Sequence, residues 1–202
     1  MYNEFIIIVI IFLILISLQL FKKNNINKNN IEMINVKSFL DGEYYEVLNK
    51  NDSLKTALIL SKIKNNFITL INYLNNNIDN YGSKKYAIQN LKKRIKNLKI
   101  IERPSDSDEF VTSYTLNKGE LMVICLRKKL LESIHDFNII FYVCIHELAH
   151  IASNSIGHND EFKSNFKFLL KEAIKLKLYT PIDYRKYPIN YCGMVVDEYI
   201  LD

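Results

Sequence analysis

Cysteine is scarce in this sequence: only Cys125, Cys144 and Cys192 occur in 202 residues, an odd number with no regular spacing. That excludes a disulfide-framework fold and predicts reduced thiols, with Cys125 and Cys144 acting as small buried hydrophobes in their apolar surroundings. Charge is missing from residues 5–21, seventeen positions whose only polar members are Ser17 and Gln19. Basic residues are missing ahead of Lys22, and acidic ones between Tyr81 and Ile101. Internal repeats are absent, which argues against a repeat array. What remains is ordinary globular usage, 49% hydrophobic and 24% charged with a formal net charge of +5, so the chain should fold rather than stay disordered. The length suits one domain with an appendage.

The appendage is the amino terminus. As a helix, residues 5–21 would span about 26 Å, the lower limit for a hydrocarbon core of about 30 Å. The segment starts after Asn3 and Glu4 and ends against Lys22 and Lys23, which favours a retained transmembrane helix (residues 1–21) over a cleaved signal peptide. Lys22, Lys23 and Lys28 follow it directly, so the positive-inside rule predicts a single-pass membrane protein with its C-terminal domain in the cytoplasm. Residues 22–30 read as a polar tether, and residues 31–202 as the folded domain.

Within that domain a strand is expected at 44–48. A long helix follows, with Asp52 or Ser53 at its N-cap and Leu54, Leu58, Phe67, Leu70, Ile71 and Leu74 at helical spacing. A break near Gly82 leads to a second helix over 83–97, with Ile88, Leu91 and Ile95 on one face. Around it stand Lys84, Lys85, Lys92, Lys93, Arg94, Lys96 and Lys99. This basic region, 84–99, is either a solvated face or a docking surface for anionic lipid or nucleic acid. Residues 110–116 and 120–126, joined by Asn117-Lys118-Gly119, read as a hairpin and hence a small antiparallel sheet. Asp136 then caps a very apolar helix that ends in a turn at 153–157, and another helix runs from Asn159 or Asp160 to about residue 178.

The apolar helix carries His146-Glu147-Leu148-Ala149-His150. Residues i and i+4 stack one turn apart on one helix face, so both imidazoles can reach a single Zn²⁺ while Glu147 projects beside them as a general base for water. Three ionisable groups inside a buried helix are costly unless something pairs with them, and a metal with its water would pair with all three. A catalytic zinc site usually has three protein ligands. His158, eight residues after His150 and just past Gly157, is the first candidate for the third; Asp160, Glu161 and Glu172 remain open alternatives. His135 reads as structural or exposed. The C-terminal segment from Pro188 could return as a strand beside the site, where Tyr191 would serve as a transition-state stabiliser.

Residues 139–170, with the HExxH helix, Gly157-His158-Asn159-Asp160-Glu161-Phe162, Phe166 and Leu169-Leu170, resemble the core of the WLM and SprT-like zinc metallopeptidases. The resemblance implies His146, His150 and His158 as metal ligands, Glu147 as the catalytic residue and Phe162 as a packing residue. It also implies an α+β, zincin-like fold: a small antiparallel sheet packed with the active-site helix and supporting helices, its motif core at about 110–178. The implied function is hydrolysis of peptide bonds in a protein or peptide substrate by zinc-activated water. The alternative is a non-catalytic, membrane-tethered zinc-binding interaction or structural protein. Some relatives cleave proteins crosslinked to DNA, whereas this chain has a hydrophobic amino-terminal segment and lacks an evident zinc ribbon. Domains of similar appearance occur in large DNA viruses, with which the Asn/Ile/Lys-rich composition is compatible.

Overall fold

Short runs that alternate or end in large apolar residues open the folded part. The computed structural model describes residues 32–104, 112–128 and 133–202, together with Ile14, Ile16 and Ser17. Strands β1 (Met33–Lys37) and β2 (Tyr44–Leu48) pair antiparallel and bury Tyr45, Val47 and Leu48. Helix α1 (Ser53–Asn76) buries Leu60, Ile63, Phe67, Leu70 and Leu74, one stripe at helical spacing. A 3-10 segment, Ile78–Lys84, ends it; Gly82 there has φ +46° and ψ −113°, a conformation that glycine tolerates best. Helix α2 (Lys85–Arg94) buries Ala87, Ile88 and Leu91 and leaves its lysine-rich side outward.

Strands β3 (Lys99–Glu102), β4 (Tyr114–Leu116) and β5 (Leu121–Ile124) form one sheet in the order β3-β5-β4. The β4–β5 pair is antiparallel as expected, but β3 runs parallel to β5, so the sheet is mixed rather than purely antiparallel. A four-residue strand that follows directly on a helical turn has too few residues to display a period, and its pairing is non-local. Helix α3 (Phe137–Ala152) is capped by Asp136, whose carboxylate accepts from the Asn138 amide at 2.8 Å. Helix α4 (Asp160–Lys175) is capped by Asn159, which accepts from the Phe162 amide at 3.1 Å. A hairpin of β6 (Ile189–Tyr191) and β7 (Met194–Val196) follows. The result is α+β. Its core centres on α3, where Ile140, Phe141, Cys144, Ile145, Leu148, Ile151 and Ala152 are fully buried against α1, α2, α4 and the sheet.

Two expectations are corrected. Among the described residues no helix is long and apolar enough to cross a membrane, which overturns the single-pass assignment; the stretch 5–21 on which it rested lies almost wholly outside the described residues. The thiols are not all reduced either. Cys125 and Cys192 form a disulfide across 67 residues, leaving Cys144 free and buried. Spacing gave no warning, because the two meet only when the C-terminal hairpin returns to the end of β5.

A buried ion network ties these parts together. The Glu102 carboxylate, 1% exposed, accepts from Arg127 Nε at 2.7 Å and from the Leu48 amide at 2.9 Å. The other guanidinium nitrogens of Arg127 reach both oxygens of Asp52, at 2.8 and 2.7 Å. Asp52 thus stands at the N-cap of α1 without capping it, its side chain being held by Arg127 instead. Burial raises the Glu102 pKa against the opposing pull of the Leu48 amide and Arg127, while the Arg127 hydrogen bonds lower that of Asp52. Arg127→Met should therefore destabilise the fold by about 3–5 kcal/mol, because it strands a buried carboxylate; adding Glu102→Gln should recover part of the loss in urea unfolding. Reducing Cys125–Cys192 should lower stability by about 2–4 kcal/mol through the long loop it closes, read as a fall in unfolding midpoint with dithiothreitol that is absent from Cys192→Ser.

Candidate metal centre

The HExxH spacing does what helix geometry requires of it. His146 and His150 leave the same face of α3, their ring centroids 5.0 Å apart, and both are part-buried while Glu147 between them is buried. The turn after α3 passes through Gly157, at φ +84°, and brings His158 over that face. Nε2 of His158 then lies 2.9 Å from Nε2 of His146 and 3.2 Å from Nε2 of His150. The three donor atoms all fall within 4.8 Å of one another, and among the described residues no other His, Cys, Asp or Glu joins them. Tetrahedral coordination with metal–nitrogen bonds of about 2.0–2.1 Å would place such nitrogens about 3.3 Å apart. The donor set and its spacing therefore fit a metal ion.

Phe162, in the first turn of α4, is the floor of the triad. Its ring stacks on His150 at 4.2 Å and 27° and meets His146 and His158 at 4.7 Å each. The rival third ligands are engaged elsewhere or stand apart. Glu161 accepts from the amides of Asn154 and Ser155, at 2.8 and 2.9 Å, and so shapes the loop leading to His158. Glu172 accepts from the Tyr81 hydroxyl, and Asp160 is exposed at the start of α4. His135 is buried, its Nε2 accepting from the Cys192 amide. Tyr191 is buried too, its hydroxyl donating to the Cys125 carbonyl and sharing a hydrogen bond with Ser113 Oγ.

Residues with no motif complete the site. Thr115, on β4, donates to Glu147 Oε2 at 3.1 Å. The basic region is largely engaged within the protein: Lys84 donates to Ser164 and Asn165, Lys85 pairs with Asp79, Lys99 pairs with Glu46, and Arg94 reaches the end of α3. Lys92, Lys93 and Lys96 remain on the exposed side. No motif or periodicity in the sequence signalled these supports, because all but the Lys85–Asp79 pair join segments far apart in the chain.

Burial dominates the electrostatics. It lowers the pKa of His146 to about 3 and of His150 to about 4, each helped by the neighbouring imidazoles, so both rings are neutral and ready to bind a cation at pH 7. Burial also pushes Glu147 up to about 8, with the Thr115 hydroxyl opposing. The depressed histidines make stability fall as pH drops below their unfolded value of about 6.5. The raised carboxyl has the opposite sign: its contribution is complete below about pH 4.5 and is lost as pH climbs toward about 8. As far as these three groups set it, chelator-treated protein should melt highest near pH 6.5, and Glu147→Gln should remove the alkaline decline while leaving the acid one. Melting temperatures from pH 5 to 9 check this; an unchanged alkaline limb in the variant would contradict it.

No family model matches the chain. It is 39% identical over 166 residues to uncharacterized protein R325 of Acanthamoeba polyphaga mimivirus, covering 82% of this chain and 83% of that protein. It is also 37% identical over 98 residues to uncharacterized protein 042R of Invertebrate iridescent virus 3, covering 48% and 55% respectively. With uncharacterized protein 136R of Invertebrate iridescent virus 6 it shares 33% identity over 81 residues, 40% of this chain and 44% of that one. Among solved structures, the crystal structure of Wss1 from Saccharomyces cerevisiae overlaps 65% of this chain and 88% of its own, at 19% identity and a TM-score of 0.43, too low to establish a common fold. On identity and mutual coverage, the chain belongs to the same protein family as R325 of Acanthamoeba polyphaga mimivirus.

Proposed function

We propose that this protein is a zinc-dependent peptidase of the WLM and SprT-like kind, with His146, His150 and His158 as ligands and Glu147 as the acid–base residue. The observation that carries this reading is the convergence of three imidazole nitrogens beside one buried carboxyl group. An all-imidazole donor set is one that suits zinc, which when bound would supply Lewis acidity to a scissile carbonyl and to water. Among the described residues three protein ligands converge, a number that leaves a position for substrate, whereas a purely structural zinc would need a fourth. The exposed His158 keeps that side accessible to solvent.

The chain's own groups do the rest. Glu147 accepts a proton from water at its carboxylate and returns it to the leaving amine. Thr115, hydrogen-bonded to Glu147 Oε2, fixes the direction in which that carboxylate points. Among the described residues β4 is the outer strand of its sheet, and Thr115 lies at its middle. An extended peptide adding to the open edge of β4 would therefore run past Glu147 and the imidazoles. Tyr191, whose hydroxyl serves the Cys125 carbonyl, is assigned to packing rather than to the reacting atoms.

Wild-type protein should purify with about one zinc per chain, and His146→Ala and His158→Ala should lose it during purification. Glu147→Gln should keep the metal and lower peptide turnover about 10²–10⁴-fold. Metal analysis alongside hydrolysis of an unstructured protein substrate checks both; full turnover in Glu147→Gln, or zinc-free folded wild type, refutes the assignment.

A further inference from the structure

A helix ends in carbonyl groups that lack intrahelical partners, and the partial negative charge there favours cations. In α3 this final turn carries His150. Side chains from two other elements meet it. Lys118 Nζ donates to the carbonyls of His150 at 3.1 Å, Ser153 at 3.0 Å and Ser155 at 2.6 Å, so every donor of the ammonium is used. Arg94, from α2, donates to the carbonyls of Ile151 at 2.6 Å and Ser153 at 2.9 Å, and Asn90 donates to that of Ala152 at 2.9 Å.

Of these, Lys118 spans the most informative gap. One of its acceptors belongs to a metal-ligand candidate on α3, and another to the loop that continues through Gly157 to His158. The backbone that presents it is itself unfavourable: Asn117 and Lys118 have φ +47° and +56°, and a lysine rarely adopts the left-handed region. Gly119 completes the turn at φ +113°, where an added Cβ would come within 3.1 Å of the Arg94 carbonyl and 3.2 Å of Ile151 Cγ2. The hairpin tip is thus wedged between α2 and the end of α3, aiming a single ammonium at the last turn of α3 and the loop beyond it.

We propose that Lys118 is a positioning residue of the metal site, which joins the last turn of α3 to the 153–158 loop and so sets the approach of His158 to His146 and His150. The inference rests on the metal-site reading above. It assigns a role to a side chain that touches no ligand ring. A simple helix cap would change stability alone; a positioning residue changes metal affinity, and does so through His158.

The test is a double-mutant cycle on the full chain, with cobalt(II) affinity and its absorption spectrum as readouts and thermal melting as the control. Lys118→Met should weaken cobalt binding by about tenfold or more and alter the spectrum, and Lys118→Arg, which keeps the cation, should restore most of the affinity. In a His158→Ala background, whose weaker two-imidazole binding is titrated with excess cobalt(II), the same Lys118→Met change should shift affinity less than about twofold. Equal affinity for Lys118→Met and wild type overturns the proposal, as does an equal loss with and without His158. Should Lys118→Met fail to fold, Lys118→Gln, which is neutral yet retains donors, takes its place under the same criteria. Wild type that binds no metal would instead overturn the metal site itself, together with this inference.

Discussion

The structure depends on the burial of α3. A helix that is apolar on nearly every side has no stable place at a surface, and here it is surrounded by α1, α2, α4 and the sheet. Each fully buried Ile, Leu or Phe in such a position contributes roughly 1.5–3 kcal/mol relative to exposure. That large driving force carries Glu147 inside as well, and the result is a carboxyl pushed up to about 8 with one hydroxyl partner at Thr115. The site is built from groups that would not be buried on their own account.

Burial also decides which elements can support the site. Because α3 is enclosed, its ends are the places where other chain segments gain access to its backbone. The first end is capped by Asp136; the last receives Lys118, Arg94 and Asn90. The loop beyond it is held from the other side by the Glu161 carboxylate, which accepts from Asn154 and Ser155. His158 therefore reaches the imidazole pair from a loop whose backbone is fixed by charge-assisted hydrogen bonds at several points. Phe162 closes the floor beneath all three rings.

Farther from the site, two cross-links hold the scaffold in register. Arg127 joins Asp52 at the start of α1 to Glu102 at the end of β3, and Glu102 in turn accepts from the backbone of β2. Cys125–Cys192 secures the C-terminal hairpin to the end of β5, where Tyr191 and His135 also make hydrogen bonds. Both lie on the chain immediately after β5, so the central strand of that sheet is anchored at its end by an ion network and a covalent bond rather than by short-strand pairing alone.

Much of this was legible in the chain. Periodicity over 53–76 and the apolar run from Phe137 mark helices because their signal is local and repeated over several turns. The HExxH spacing places two imidazoles on one face for the same reason, and Gly157 marks the reversal that lets His158 return. The parallel pairing of β3 with β5, the Cys125–Cys192 bond, the Thr115 contact and the engagement of Lys84, Arg94 and Lys118 inside the protein had no such signature. Helical neighbours are specified by residues three and four apart, whereas these contacts join segments tens of residues apart, whose distance is settled only when the buried helix draws the other elements around it.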